Sequence, residues 1–160
     1  MGTTIETGIY IARPPEAVVK VILEPANAVL WTADLERFEV ISGVPGEVGS
    51  RARLHYSQNG RPYVMEDVLL SVVHNRRYVS RASRDVLTAE VTTSLVPSGE
   101  GTQVSVRWRG SGKHPILRWM LPFMRKSIRR QAEADLRKLR GLVEGAVPSA
   151  TSASGDQTSD

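Results

Sequence analysis

The 160-residue sequence contains no cysteine. This absence excludes disulfide bonds, zinc sites built from thiolates, and thiol nucleophiles. The three histidines, His55, His74 and His114, are scattered along the chain without HxH or HExxH spacing. Such spacing is what brings two imidazoles onto one metal ion. We therefore predict no metal site and no cofactor.

The sequence also lacks a long apolar run. Its most apolar helical piece, residues 116–124, is nine residues long and contains Arg118. A membrane span needs about 20 apolar residues. No basic-then-apolar segment precedes the first strand-like stretch, so no signal peptide is predicted. These absences predict no transmembrane segment and a cytoplasmic location.

Positive charge is concentrated in one segment of the chain. Residues 113–144 hold nine Lys and Arg against three acidic residues, a net charge of +6, whereas residues 1–112 hold twelve of each sign. Clustered basic side chains are typical of nucleic-acid binding, but no aromatic stacking platform accompanies them here. A solvated helix face is the favoured interpretation. Docking to an acidic carrier protein or an anionic surface is the alternative partner prediction.

Alternation of apolar and polar residues dominates the middle of the chain. Strands are predicted over residues 3–12, 38–42, 51–57, 61–73, 76–84, 88–96 and 103–109. Asn59-Gly60 predicts a tight hairpin, because type I′ turns need positive φ at both central residues. Short connections of this kind predict an antiparallel meander.

Helical spacing occurs in two regions. Between the first two strands, Pro15 opens one short helix, and Pro25 ends it and precedes a second over residues 26–31. From Pro115 onward, apolar residues recur every three to four positions as far as Val143, which predicts a long helix that Pro122 kinks. This helix has to cover the apolar face of the sheet. Residues 146–160 are predicted to be disordered, which leaves one domain over 1–145.

This order of elements, together with the prolines and glycines at their boundaries, resembles a known superfamily. The residues that carry the resemblance are IARPPEAV at 11–18, Trp31, GEVGS at 46–50 and the helix from Pro115 to Glu144. They are similar to the helix-grip, START/Bet v 1-like (SRPBCC) superfamily, and closest to its bacterial polyketide cyclase/dehydrase group. The resemblance implies an α+β fold with a seven-stranded curved antiparallel sheet. It also implies two short helices between strands 1 and 2, and a long C-terminal helix over the concave face.

The same resemblance implies a cavity between the concave face and the last helix, suited to an apolar ligand. One helix cannot fill the whole concavity of a strongly curved sheet, so a gap is expected there. Three tyrosines are favoured as lining residues, since a buried phenol needs a hydrogen-bond partner. The predicted ligand-binding residues are Trp31, Leu54, Tyr56, Tyr63, Met65, Tyr78, Val91, Val106, Trp108, Leu117, Leu121, Met124 and Ile128. Plain core packing is the competing interpretation for the aliphatic ones.

Catalytic activity is the second possibility, and it depends on the residues that follow the Asn59-Gly60 turn. The resemblance implies that aromatase/cyclase relatives carry Asn-Gly-Arg, then alternating aromatics, then an inward arginine. Here Asn59-Gly60-Arg61 is followed by Tyr63 and Met65 on one face. Continued alternation places Asp67 next and then Leu69 where the arginine is expected, which argues against aromatase chemistry.

Acid–base candidates are few. They are Tyr63, Glu66, Asp67 and Tyr78. Glu66 and Asp67 are adjacent, so alternation sends their side chains to opposite faces of a strand. The sequence leaves open which of the two points inward.

Three function hypotheses follow from these observations. The first is binding or sequestration of an apolar polyketide, lipid or aromatic metabolite. The second is a cyclase or dehydratase acting on such a molecule. The third is a regulatory or nucleic-acid-binding module using the basic helix. A self-resistance protein of an antibiotic producer is a variant of the first hypothesis, with an exposed Gly110 or Gly112 as its reactive position.

Overall fold

The computed structural model describes residues 3–85, 87–112 and 115–145, without the side chains of residues 115–119 and 121. The predicted disordered tail over 146–160 lies outside the described residues. The side chains of Leu117 and Leu121, predicted to line the cavity, also lie outside them. The elements are β1 (Thr3–Ile11), α1 (Pro15–Leu23), α2 (Pro25–Trp31), β2 (Leu35–Ser42), β3 (Arg51–Gln58), β4 (Arg61–Val73), β5 (Arg77–Arg84), β6 (Leu87–Ser98), β7 (Gly101–Gly112) and α3 (Pro115–Gly145).

The strands form one seven-stranded antiparallel sheet in the order β1-β7-β6-β5-β4-β3-β2. The consecutive strands β2 to β7 make the predicted meander, and β1 adds to its far edge. The edges of the sheet are therefore β1 and β2, which are joined in sequence by α1 and α2. The predicted fold class is confirmed.

The hairpin between β3 and β4 forms where the sequence predicts it. Asn59 and Gly60 have φ of 53° and 77°, the positive values that a type I′ turn requires. Their flanking residues, Gln58 and Arg61, face each other across the ladder. This turn fixes the register of β3 against β4, and with it the face on which each side chain lies.

The main core lies at the β1, β7 and β6 side of the sheet. Leu136, Leu139 and Val143 of α3 are buried in one cluster with residues such as Ile11 and Val18. α3 packs on β1 and β7 and on both short helices. This side of the concave face is therefore filled, and space remains over the strands nearer β2.

Several strands extend beyond their predicted ends. β2 begins at Leu35 rather than at residue 38, and β6 includes Pro97 and Ser98, beyond its predicted end at residue 96. They pair with Thr102 and Gly101 of β7. Pro97 is tolerated because β6 overhangs β5 here: the β5 ladder reaches only to Ser94, so the missing N–H costs no strand pairing on that side.

The expectation of an exposed glycine near the last strand is wrong. Gly110 and Gly112 are buried within β7, which continues past the predicted end at residue 109. They pair with Ala89 and Leu87 of β6. The ring of Trp108 lies over Gly110, where an added Cβ would collide with it. An alanine at 110 would require the Trp108 ring to move.

Candidate ligand cavity on the concave face

One face of the sheet gathers most of the predicted lining residues. Residues directly opposite each other on paired strands share a face. Leu54 pairs with Met65, Tyr56 pairs with Tyr63, and Val91 pairs with Trp108. Following these pairs across the sheet puts eight predicted residues on the concave face: Leu54, Tyr56, Tyr63, Met65, Tyr78, Val91, Val106 and Trp108.

A cavity of about 170 Å³ lies where this face meets the short helices. We call it the Asp67 cavity. Its lining residues come from the concave face, from α1 and α2, and from the loop between β2 and β3: Ile22, Leu23, Pro25, Ala28, Phe38, Val40, Pro45, Gly46, Ser50, Arg51, Ala52, Asp67, Leu69, Tyr78, Ser80, Val91 and Thr93. Tyr78 and Val91 are the two members predicted from sequence as ligand-binding. The others on the helices and on β2 could not be assigned without knowing which strands the helices cover.

Asp67 is the acidic residue of this cavity. It faces Ala52 of β3 and Ala82 of β5 on the concave side. Burial raises the pKa of its carboxyl group above the ordinary value, and a hydrogen bond from the Ser80 side chain partly opposes that rise. A carboxyl group in this state is a hydrogen-bond acceptor and a candidate proton acceptor.

Glu66 is ruled out as a member of the cavity. Its side chain is exposed on the opposite face of β4, with an oxygen 3.7 Å from Nε of Arg53. Glu66 was a catalytic candidate from sequence, and the structure places it on the face away from the Asp67 cavity. Of the adjacent carboxylates, Asp67 is the one that points inward.

Leu69 follows Asp67 on the same face. It is buried and lines the Asp67 cavity. The register of β4 against β3 is regular from Arg61 to Val68, and the irregularity against β5 comes after Leu69. No bulge therefore brings a different side chain to the place where the resemblance implies an arginine.

Two tyrosines of the concave face stack on each other. The ring centroids of Tyr56 and Tyr63 are 5.0 Å apart and the ring planes differ by 10°. The guanidinium carbon of Arg84 lies 4.6 Å from the Tyr63 centroid, over the ring. Burial raises the pKa of Tyr56, and Tyr63, Asp67 and Asp135 raise it further. The Tyr56 phenol is thus a protonated donor at neutral pH.

Asp135 is a polar group that the sequence analysis missed. It lies on α3 and its Oδ1 accepts a hydrogen bond of 3.1 Å from the backbone N–H of Ala33, between α2 and β2. Burial raises its pKa to about 6, against the lowering effect of that hydrogen bond. The sequence feature that could have identified Asp135 is its position on the apolar stripe of the helix, three residues after Ala132 and four before Leu139.

A second, wider hollow of about 640 Å³ lies at the β3–β4 hairpin, and we call it the hairpin cavity. Its lining residues are Gln58, Asn59, Arg61, Pro62, Tyr63, Met65, Arg84, Leu87 and Met124. Tyr63, Met65 and Met124 were predicted from sequence as ligand-binding. Met65 and Asp67 are consecutive inward residues of β4, so the two cavities adjoin along one strand.

The remaining predicted residues lie outside both cavities. Trp31 and Val106 pack against the main core, and the indole N–H of Trp31 is buried without a hydrogen-bond partner in the described part of the chain. Leu54, Trp108 and Ile128 are partly buried. Tyr78 belongs to the core as well as to the cavity wall, and its hydroxyl accepts a 3.1 Å hydrogen bond from the N–H of Asn75.

The basic residues of α3 that the structure describes are exposed. Arg129 forms a pair with Glu133 at 3.4 Å, one turn along the helix. Within residues 3–85, 87–112 and 115–145, no helix is apolar over enough of its length to cross a membrane. In the same residues, no group of three or more His, Asp or Glu could hold a metal ion.

The curved sheet and the long helix packed across it define a helix-grip domain. The Asp67 cavity lies between the sheet and the short helices, and none of its described lining residues comes from α3, whereas the sequence predicted a cavity between the sheet and that helix. Residues 2–144 match the family described as polyketide cyclase/dehydrase and lipid transport. The chain belongs to this family, within the START/Bet v 1-like superfamily. No curated protein sequence matches the chain significantly.

Solved structures share the fold at low sequence identity. A START superfamily protein from Mycobacterium smegmatis is 18% identical with a TM-score of 0.74, over 90% of this chain and 99% of that one. The Zhui aromatase/cyclase from Streptomyces sp. R1128 is 17% identical with a TM-score of 0.72, over 94% and 98%. The di-domain aromatase/cyclase StfQ of the steffimycin biosynthetic pathway is 12% identical with a TM-score of 0.76, over 91% of this chain and 52% of that one.

Proposed function

We propose that this protein binds or sequesters an apolar small molecule, of the polyketide, lipid or aromatic-metabolite class, on the concave face of its sheet. The observation that carries the proposal is the Asp67 cavity. Its walls are mostly apolar, with a few polar groups such as Asp67 and Ser80 converging on it. This combination is typical of small-molecule sites, because apolar walls supply affinity and sparse polar groups fix orientation.

The size of the cavity limits the ligand. Its volume of about 170 Å³ is below the roughly 300–1,000 Å³ of sites for drug-sized ligands. A molecule of one or two rings therefore suits it. An elongated ligand would extend past Asp67 to Met65 and into the hairpin cavity, where Met124 lines the far side.

Ligand binding is tested by chemical-shift perturbation on the ¹⁵N-labelled protein with a panel of one- and two-ring apolar compounds. We expect shifts at Leu69, Tyr78 and Val91, which line the Asp67 cavity. Outward residues of the same strands, such as Glu66, are expected to stay unshifted. If no compound moves the cavity resonances, the proposal is refuted.

A matched pair of variants gives the control. Thr93→Leu adds volume inside the Asp67 cavity, whereas Thr92→Leu makes the same change on the other face of β6. We expect Thr93→Leu to weaken the binding of a two-ring compound by tenfold or more and Thr92→Leu to leave it within about twofold. Equal effects would place the ligand elsewhere.

A second candidate function is polyketide cyclase or dehydratase chemistry, and Asp67 favours it. An inward carboxyl group with a raised pKa can accept a proton from an enolisable ketide, and Tyr56 can donate a hydrogen bond to the resulting enolate.

Turnover of a poly-β-ketone thioester tests this second function. Asp67→Asn should abolish turnover and leave binding of the uncharged substrate largely intact. Equal loss of turnover and binding would argue against chemistry at Asp67.

A further inference from the structure

The Asp67 cavity has an acidic side chain inside it and a basic side chain only at its exposed edge. Asp67 contributes a carboxylate, and Ser80 donates the hydrogen bond that it receives. Arg51 is the basic side chain on the lining, and it is exposed at the rim. In the part of the chain that the structure describes, Asp67 forms no ion pair with any cation. A partly buried carboxylate without a counter-ion is an unfavourable arrangement, which a cationic ligand would relieve.

A second carboxylate, outside the lining of the Asp67 cavity, acts on the same tyrosine as Asp67. Asp67 on β4 and Asp135 on α3 both act on the phenol of Tyr56. The two carboxylates belong to different elements, one on the sheet and one on the helix, and both raise the pKa of Tyr56. Asp135 is tied to the Ala33 N–H, and Asp67 retains unused acceptor capacity.

An aromatic surface adjoins these carboxylates. Tyr56 and Tyr63 are stacked, and Tyr63 already holds the guanidinium of Arg84 over its ring. Aromatic faces attract cations through their quadrupole, independently of any carboxylate. Neither ring lines the Asp67 cavity, and Tyr63 already holds a cation, so the case for a cationic ligand group rests on Asp67.

We propose that the ligand of the Asp67 cavity carries a protonated amine, which forms a charge-assisted hydrogen bond with the Asp67 carboxylate. This inference rests on the proposed binding function and adds the chemical class of the ligand. The apolar part of the ligand lies against Leu69 and Val91. The amine hydrogens not used by Asp67 point toward the Tyr56 side of the concave face.

Isothermal titration calorimetry on the full chain at pH 7 tests this with three probes of one ring system. They are 2-naphthylmethylamine, 2-naphthylmethanol and 2-naphthoic acid, which are cationic, neutral and anionic at this pH. We expect the amine to bind roughly 10- to 100-fold more tightly than the alcohol, as a charge-assisted hydrogen bond implies. The acid should bind most weakly.

Two adjacent carboxylates of β4 supply the control. Asp67→Asn should remove most of the preference for the amine and leave the alcohol unaffected. Glu66→Gln removes the same charge from the outer face and should leave the preference unchanged. An equal loss of preference in both variants would show that the preference for the amine comes from long-range attraction, and would overturn the proposal.

The outcomes also distinguish the amine proposal from the proposed binding of an apolar molecule, on which it rests. If the alcohol binds as tightly as the amine in the native protein, the amine proposal is wrong and apolar ligand binding stands. If none of the three probes binds, both proposals fail for ligands of this size. The comparison of amine and alcohol in the native protein needs no variant, so it holds even if Asp67→Asn fails to fold.

Discussion

The two halves of α3 share one apolar periodicity and have different surroundings. In the C-terminal half, Leu136, Leu139 and Val143 are at most 3% exposed, packed with β1 and the short helices. In the N-terminal half, every described side chain from Met120 to Ser127 is exposed, and Phe123 is 74% exposed. Helical periodicity sets which residues share a stripe, but burial depends on whether another element lies opposite. The C-terminal half therefore anchors the helix, and the N-terminal half borders the hairpin cavity through Met124.

The largest expected effect tests this anchoring. Leu139→Ala should lower the free energy of unfolding by about 2–5 kcal/mol, because it leaves a void in a filled core. Met124→Ala removes a side chain that is 43% exposed, and should cost about 1 kcal/mol or less. Urea unfolding followed by circular dichroism measures both. Equal losses from the two variants would show that the N-terminal half is packed as firmly as the C-terminal half.

A smaller effect, of opposite sign, is expected at Asp135, next to the buried half. Its folded-state pKa of about 6 exceeds the unfolded value of roughly 3.9. The folded protein therefore binds the proton more tightly, and the stability contribution present below about pH 4 is lost as the pH rises through about 6. Asp135→Asn should raise stability at pH 7 by about 1 kcal/mol, a figure reduced for the solvent screening of a half-exposed group.

The pH dependence is the control for Asp135. At pH 4 the native carboxyl group is protonated in the folded state, so the gain from Asp135→Asn should vanish. Thermal unfolding of both proteins at pH 4, 5.5 and 7 measures this. A constant difference across the three pH values would assign the effect to packing and refute the titration of Asp135.

The smallest effect concerns the C-terminal end of α3. Glu144 Oε1 accepts a 3.1 Å hydrogen bond from the N–H of Ala12, and the Glu144 carbonyl accepts one of 2.9 Å from Arg13. Glu144→Ala removes only the first of these hydrogen bonds, and should lower the free energy of unfolding by about 0.5–1 kcal/mol.

Glu133→Ala is the comparison variant. It breaks an exposed ion pair with Arg129 and should lower the free energy of unfolding by about 0.3–0.5 kcal/mol. A double-mutant cycle with Arg129→Ala isolates that second value; a larger loss at Glu133 than at Glu144 would contradict the anchoring at this end.

The sequence was sufficient for the sheet and its concave face, because period-two alternation and the Asn59-Gly60 turn are local signals that fix register. Asp67 could be placed inward by counting from Tyr63 along β4, once the turn was known. The pairing of Gly110 and Gly112 was missed because Gly-Ser-Gly is typical of turns, while β6 extends far enough to pair with both glycines. The electrostatic effect of Asp135 on Tyr56 was also missed, because no local pattern says which strand a distant helical residue faces.

The connection between the sheet edges has a kinetic consequence. α1 and α2 join β1 to β2 and form one wall of the Asp67 cavity, yet they contribute no strand to the sheet. Displacing α2 alone would break its side-chain contacts and the nearby Ala33–Asp135 hydrogen bond, while every strand pairing stays intact and Val18 and Val19 of α1 stay in the main core. The free energy of such a local opening is a fraction of that for global unfolding. Residence time in the cavity would then be set by α2, and overall stability by the sheet, α1 and the C-terminal half of α3.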